Sequence, residues 1–144
     1  MKKKNEKGFS LVELLIVVVI IGVIAAIAVP AFQRGITAAE NRSIFATMRV
    51  MASTQATFFS QKQRFARLAE LNTMQGGGLG TVVGDQMFRH KFVFEMPPGV
   101  TDAELRDEYS ITASRDAGGI LYVFVLTQDG RIVRTSPGPD PDSQ

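Results

Sequence analysis

The sequence predicts an α+β chain. One long N-terminal helix, a membrane half followed by an amphipathic half, packs on a small antiparallel sheet of three or four strands. Three observations predict it. Residues 9–32 form an apolar segment long enough for a membrane helix. Apolar residues then recur at helical spacing to about residue 61. From residue 92 the pattern changes to alternation, broken by turn residues.

The first element is a charged flank. Residues 1–8 read Met-Lys-Lys-Lys-Asn-Glu-Lys-Gly, with four Lys against one Glu. The formal net charge of the 144-residue chain is +2, and its isoelectric point is about 9.2. Outside that flank, 12 Lys and Arg face 13 Asp and Glu, a balance of −1. A basic cluster before an apolar run marks the side of a membrane segment that stays in the cytoplasm. The basic isoelectric point therefore reports topology rather than a nucleic-acid surface.

The membrane half follows. Residues 14–29 are 16 consecutive positions without a polar side chain. The 24 residues of 9–32 span roughly 36 Å as a helix, against a hydrocarbon core of about 30 Å. The flank puts the N-terminus inside and residues after about 33 outside. A cleaved secretory signal is one alternative, since Ala26-Ile27-Ala28 fits its exit site. A plain anchor is another. Neither explains Glu13, because a carboxylate in an apolar segment is costly.

Lys7-Gly8-Phe9-Ser10-Leu11-Val12-Glu13-Leu14-Leu15 resembles the class III signal of type IV pilins and the pseudopilins of type II secretion. The resemblance is close over residues 7–32 and looser to about 60. It implies the pilin fold, and cleavage by a membrane prepilin peptidase between Gly8 and Phe9. Phe9 then becomes the mature N-terminus and is N-methylated. It also implies that Glu13 pairs with the terminal amine of a neighbouring subunit during assembly. The residue-level reading leaves Glu13 two other options, the membrane interface or its own chain's amine. Gly22 and Pro30 match the family pattern, and the helix is expected to kink between them in the free subunit and to extend in the filament.

The amphipathic half is set by Ile44, Met48, Met51, Ala52, Gln55 and Phe59. Arg34, Arg42 and Arg49 recur every seven to eight residues and form its polar face. Arg64 to Leu71 is similar to the helix exit and short turn that follow the long helix in pilin-like proteins. Gly76-Gly77-Gly78-Leu79-Gly80 predicts a flexible connector. It neither follows a strand nor precedes Lys-Ser/Thr, so it is not a phosphate loop.

The strand signals come next. Phe92, Phe94 and Met96 alternate with Lys91, Val93 and Glu95 up to Pro97-Pro98-Gly99. Tyr109, Ile111 and Ala113 alternate with Ser110, Thr112 and Ser114. Residues 120–126 are apolar on both faces and predict a central strand. Gln128-Asp129-Gly130 predicts a turn, and residues 131–135 the return strand. The tail, 136–144, holds three Pro and two Asp and predicts disorder. It faintly resembles a calcium-binding C-terminus of major secretion pseudopilins. Most of the carboxylates that site needs are missing, so no metal is assigned.

These boundaries predict a cleaved leader (1–8), an assembly helix (9–32), an amphipathic helix (33–62), a head (63–135) and a flexible tail (136–144). The chain has no Cys, which excludes disulfides, Cys-based zinc sites and Cys nucleophiles, and one His, His90. No catalytic residue, cofactor or metal site is predicted. Many type IV pilins close a C-terminal loop with a disulfide, and this chain departs from that pattern.

The resemblance implies a structural subunit that polymerises through its N-terminal helix. Its partners are further copies, other pilins, the prepilin peptidase and methyltransferase, and an inner-membrane assembly platform. It sits in the bacterial inner membrane, then in an extracellular pilus serving adhesion or motility, or in a periplasmic pseudopilus of type II secretion. A minor pilin with a DNA- or surface-binding head is the other alternative, resting on Arg89, His90, Lys91, Arg131 and Arg134 sharing one face.

Overall fold

The computed structural model describes residues 8–136. The described chain divides into two compact units, 8–41 and 42–136. Helix α1, Leu11–Lys62, runs through both.

In the first unit α1 is helical through both Gly22 and Pro30. Pro30 lacks the amide that would donate to the carbonyl four residues back, a local loss the surrounding turns absorb. Every side chain of residues 11–36 is exposed. That pattern is the reverse of a soluble helix, and α1 is long and apolar enough to cross a membrane.

The second unit is a head with one hydrophobic core. From α1, Ile44, Met48, Met51 and Phe58 enter it. The stripe is as spaced in the sequence except at its end, where Phe58 is buried and Phe59 half-buried beside Phe65. Arg42 and Arg49 lie on the exposed face. The segment after α1 forms a helix, α2, Leu68–Met74, in place of the expected turn. Glu70 caps it by accepting from the Arg67 amide at 2.9 Å, and Leu68 and Leu71 face the core.

The sheet has six strands, not three or four. They are β1 Thr81–Val83, β2 Gln86–Arg89, β3 Phe92–Glu95, β4 Ser110–Ala117, β5 Ile120–Thr127 and β6 Ile132–Ser136. Each pairs antiparallel with the next, in the order β1-β2-β3-β4-β5-β6. The two unexpected strands form the hairpin β1–β2 around Gly84 and Asp85. They have three and four residues, and β2 buries only Met87, so they carry almost no periodic signal. The signal they do carry is the turn, since Gly84 at φ 59° suits the first central position of a II′ hairpin.

Between β4 and β5, Gly118 (φ 67°) and Gly119 (φ 81°) supply the two positive angles of a tight hairpin turn. The β2–β3 turn instead uses His90 at φ 53°, a conformation that costs a side-chain-bearing residue energy. β5 is flanked by β4 and β6. That is the central position the sequence predicts, although its first two residues, Ile120 and Leu121, are about half exposed. The alternation of β3 and β4 holds: Phe92, Phe94, Ile111 and Ala113 all point into the core.

The glycine run is a pinned turn. The Asn72 amide donates to Gly80 O at 3.0 Å and its Oδ1 accepts from the Leu79 and Gly80 amides. Arg89 donates to Gly78 O and Leu79 O. Backbone groups that a strand or helix would have paired are met by these two side chains.

Candidate functional site

Gly8, Phe9 and Ser10 precede the first turn of α1, and Phe9 is 81% exposed. Ser10 is the cap of that turn. Its hydroxyl accepts from the Val12 amide at 3.3 Å, and its carbonyl accepts from the Leu14 amide at 3.2 Å. Glu13 reaches back, its Oε2 accepting from the Ser10 amide at 3.0 Å. Glu13 thus supplies the carboxylate half of a capping box, whose sequence signature is Ser-x-x-Glu, while the Ser10 hydroxyl caps the amide one residue earlier than in the full box. Sequence reasoning assigned Glu13 to an amine and passed over this local partner, although the signature was in view.

Beyond Glu13, residues 14–29 present only apolar surface and none of it is covered. Gly22 lies in this stretch with nothing within 4 Å of the position a Cβ would take. The candidate site is therefore one hydrogen-bonded carboxylate at the head of a long apolar rod. An uncovered apolar surface of that length calls for lipid or other apolar helices against it.

The head offers a second candidate and the sheet divides it. His90 and Lys91 turn between β2 and β3, while Arg131 and Arg134 border or lie in β6, three strands from β3 and roughly 14 Å away at strand spacing. The five residues therefore do not form one compact cluster. A cavity of about 250 Å³ lies beside Pro97, Pro98, Glu104, Glu108 and Tyr109. Burial and the Asp129 charge raise the Tyr109 hydroxyl above its ordinary pKa, so it stays protonated. Among the described residues no group of His, Cys, Asp and Glu is placed to hold a metal. The leader residues 1–7 and the tail residues 137–144, where calcium was considered, lie outside the described residues.

Residues 3–29 match the family model of the prokaryotic N-terminal methylation motif. The chain carries this methylation motif at its N-terminus, and its N-terminal part is similar to type IV pilins. It is 38% identical over 65 residues to the type IV major pilin protein PilA of Myxococcus xanthus, covering 45% of this chain and 30% of that protein. It is 35% identical over 80 residues to fimbrial protein Q of Moraxella bovis, covering 55% and 51%. It is 46% identical over 52 residues to the type IV major fimbrial protein FimA of Dichelobacter nodosus, covering 36% and 30%. The match thus spans about half or less of each of these relatives. No solved structure matches the chain. The pilin resemblance and the α+β architecture of a long helix with an antiparallel sheet agree with each other.

Proposed function

We propose that the protein is a structural subunit of a type IV pilus or pilus-like filament. The observation that carries this is the uncovered apolar rod of residues 14–29 headed by Glu13. An exposed apolar surface of that length is stable only in lipid or against other helices.

Prepilin peptidase cuts between Gly8 and Phe9 on the cytoplasmic side, and Phe9 is methylated. The cut creates a cationic amine one helical turn from Glu13. In the inner membrane the rod lies in lipid, with the head in the periplasm. The assembly platform then gathers subunits, and rods pack on rods in place of lipid. The Glu13 carboxylate has one hydrogen bond from Ser10 and room to accept more, so the amine of a neighbouring Phe9 completes its shell and sets register. Between Gly22 and Pro30 the helix has its two weakest points, which lets the filament extend there.

The second reading is a pseudopilin of a type II secretion system, favoured by a head with no cysteine to close a loop. Electron microscopy of sheared surface filaments, with N-terminal mass analysis of their main protein, tests both. A chain starting at Phe9 with one added methyl group, in long fibres, is expected. Absence of fibres with a secretion defect on deletion moves the reading to the pseudopilin. An intact Met1 in the assembled form rejects both.

A further inference from the structure

We propose that the head holds a small site for a primary alkylammonium group, in the cavity of about 250 Å³ beside Tyr109, with Glu104 and Glu108 at its charged side. The residues that line it fall between 96 and 128 and none belongs to α1, so the site stands whether or not the rods assemble.

The apolar wall is a turn. The Val100 amide donates to Pro97 O at 3.3 Å, with Pro98 and Gly99 at the centre. Gly99 at φ 73° suits the third position of a type II turn, and Pro98 fixes the second. Met96 and Val100, both half-buried, line the same cavity. A wall of this kind takes a short alkyl stem. Tyr109 adds a neutral polar group. It is only 5% exposed, and its ring is held against Phe65 with centroids 4.7 Å apart. Its hydroxyl makes no hydrogen bond to a described residue and opens on the cavity. A hydroxyl so buried calls for a partner, and in its protonated form it can accept as well as donate.

The charged side is one turn of chain. The Glu108 amide donates to Glu104 O at 3.0 Å, which sets the two carboxylates four residues apart on one face. Glu104 is held in place. Its Oε2 accepts from the Thr101 amide at 2.7 Å and the Thr101 hydroxyl at 2.8 Å, which leaves Oε1 for a ligand. Those two bonds keep its carboxyl below the ordinary value, so it is charged at neutral pH. Glu108 is exposed, and its carboxylate makes no hydrogen bond or ion pair with a described residue. The lining holds these two carboxylates and no Lys, Arg or His. The flanking cations do not neutralise them, since Arg106 adjoins Asp107 and Arg131 closely follows Asp129.

Two uncompensated carboxylates select a cation. Among the described residues no group of three or more His, Cys, Asp and Glu is placed to hold a metal, which leaves an organic cation. Carboxylate and hydroxyl oxygens accept N–H bonds, of which a primary ammonium offers three and a quaternary ammonium none. The cavity lies below the usual range for drug-sized ligands, about 300–1,000 Å³, so it suits an amine on a stem of a few carbons. Free amines and lysine side chains share that chemistry.

The test uses the full chain in a nonionic detergent, with carbon-13 label on its two tyrosines, Tyr109 and Tyr122. Titration with 1,5-diaminopentane is expected to shift the Tyr109 signal and not the Tyr122 signal, saturating on the order of 1 mM. The uncharged 1,5-pentanediol is expected to shift neither. Glu108→Gln is expected to weaken the amine about threefold, since an exposed charge pair is worth little. Asp107→Asn, at an exposed acid outside the lining, is expected to leave binding unchanged. Tyr109→Phe keeps the ring and is expected to weaken the amine about fivefold, read from a labelled Met96 methyl. A glycine peptide with one central lysine and blocked ends separates the two sources. Binding of the peptide as tight as that of the diamine assigns the site to a protein lysine, and binding of the diamine alone assigns it to a free amine. A Tyr109 signal that neither probe moves overturns the proposal. Equal losses from Asp107→Asn and Glu108→Gln also overturn it, because binding would then follow net charge alone.

Discussion

Gln55 holds both backbone groups of Ala66. Its Nε2 donates to Ala66 O at 2.9 Å, and its Oε1 accepts from the Ala66 amide at 2.6 Å. Both residues are fully buried. The side chain thus ties the middle of the amphipathic helix to the segment leading into α2, where the backbone has no regular partner. Gln55→Ala leaves a buried amide and carbonyl unpaired and is expected to cost about 2–5 kcal/mol. Denaturant unfolding of the detergent-solubilised chain measures it, and a loss under 0.5 kcal/mol contradicts the assignment.

Acid is expected to weaken the same region through Glu70. Its carboxylate takes both arms of the Arg64 guanidinium, at 2.8 and 2.6 Å. The Arg64 hydrogen bond, followed by the Arg67 amide, outweighs desolvation and holds the Glu70 carboxyl below its ordinary value of 4.5. A depressed folded value means the contribution is complete above the unfolded pKa and is lost as pH falls through the folded one. Stability should therefore fall below about pH 5, with Glu70→Gln flattening that slope and costing about 1 kcal/mol at neutral pH. Melting temperature against pH for the two chains reads it, and parallel curves would speak against the pair.

Two turn positions should respond in opposite directions. A Cβ on Gly80 would lie 2.5 Å from Phe88 O and 3.1 Å from Met87 Cγ, so Gly80→Ala must move β2 and is expected to destabilise by about 1–3 kcal/mol. His90 already holds φ 53°, which Asn tolerates better. His90→Asn is expected to stabilise by roughly 0.5 kcal/mol. Thermal melts of both variants decide the signs.

Glu13→Val removes the carboxylate and leaves the apolar rod. Mature protein starting at Phe9 should still accumulate, since Gly8 is untouched, while sheared filaments fall below detection. Mass analysis and electron microscopy read the two outcomes separately. Normal fibres in this variant would remove Glu13 from assembly.

Much of this was legible in the sequence because it depends on short-range spacing. The rod of residues 14–29, the stripe Ile44, Met48 and Met51, and the alternation of Phe92 with Phe94 each follow from one element's period. The hairpin β1–β2 was not legible, because three- and four-residue strands barely alternate and their stability comes from pairing with β3. The role of Gln55 was hidden for a different reason. Its place on the stripe was visible, but its partner is 11 residues away across a turn.

The sequence by itself determined the N-terminal half: a basic flank, an apolar rod, one carboxylate at its head and a helix with one face to bury. Those are properties of residues within a few turns of each other, and hydropathy and helix periodicity specify them locally. Only the tertiary structure decided the six-strand order, the spread of the basic residues over strands three apart, and the hold of Gln55 on Ala66. Each of these joins residues distant in sequence, and strand register, which determines who meets whom, is settled by the packing of the whole core.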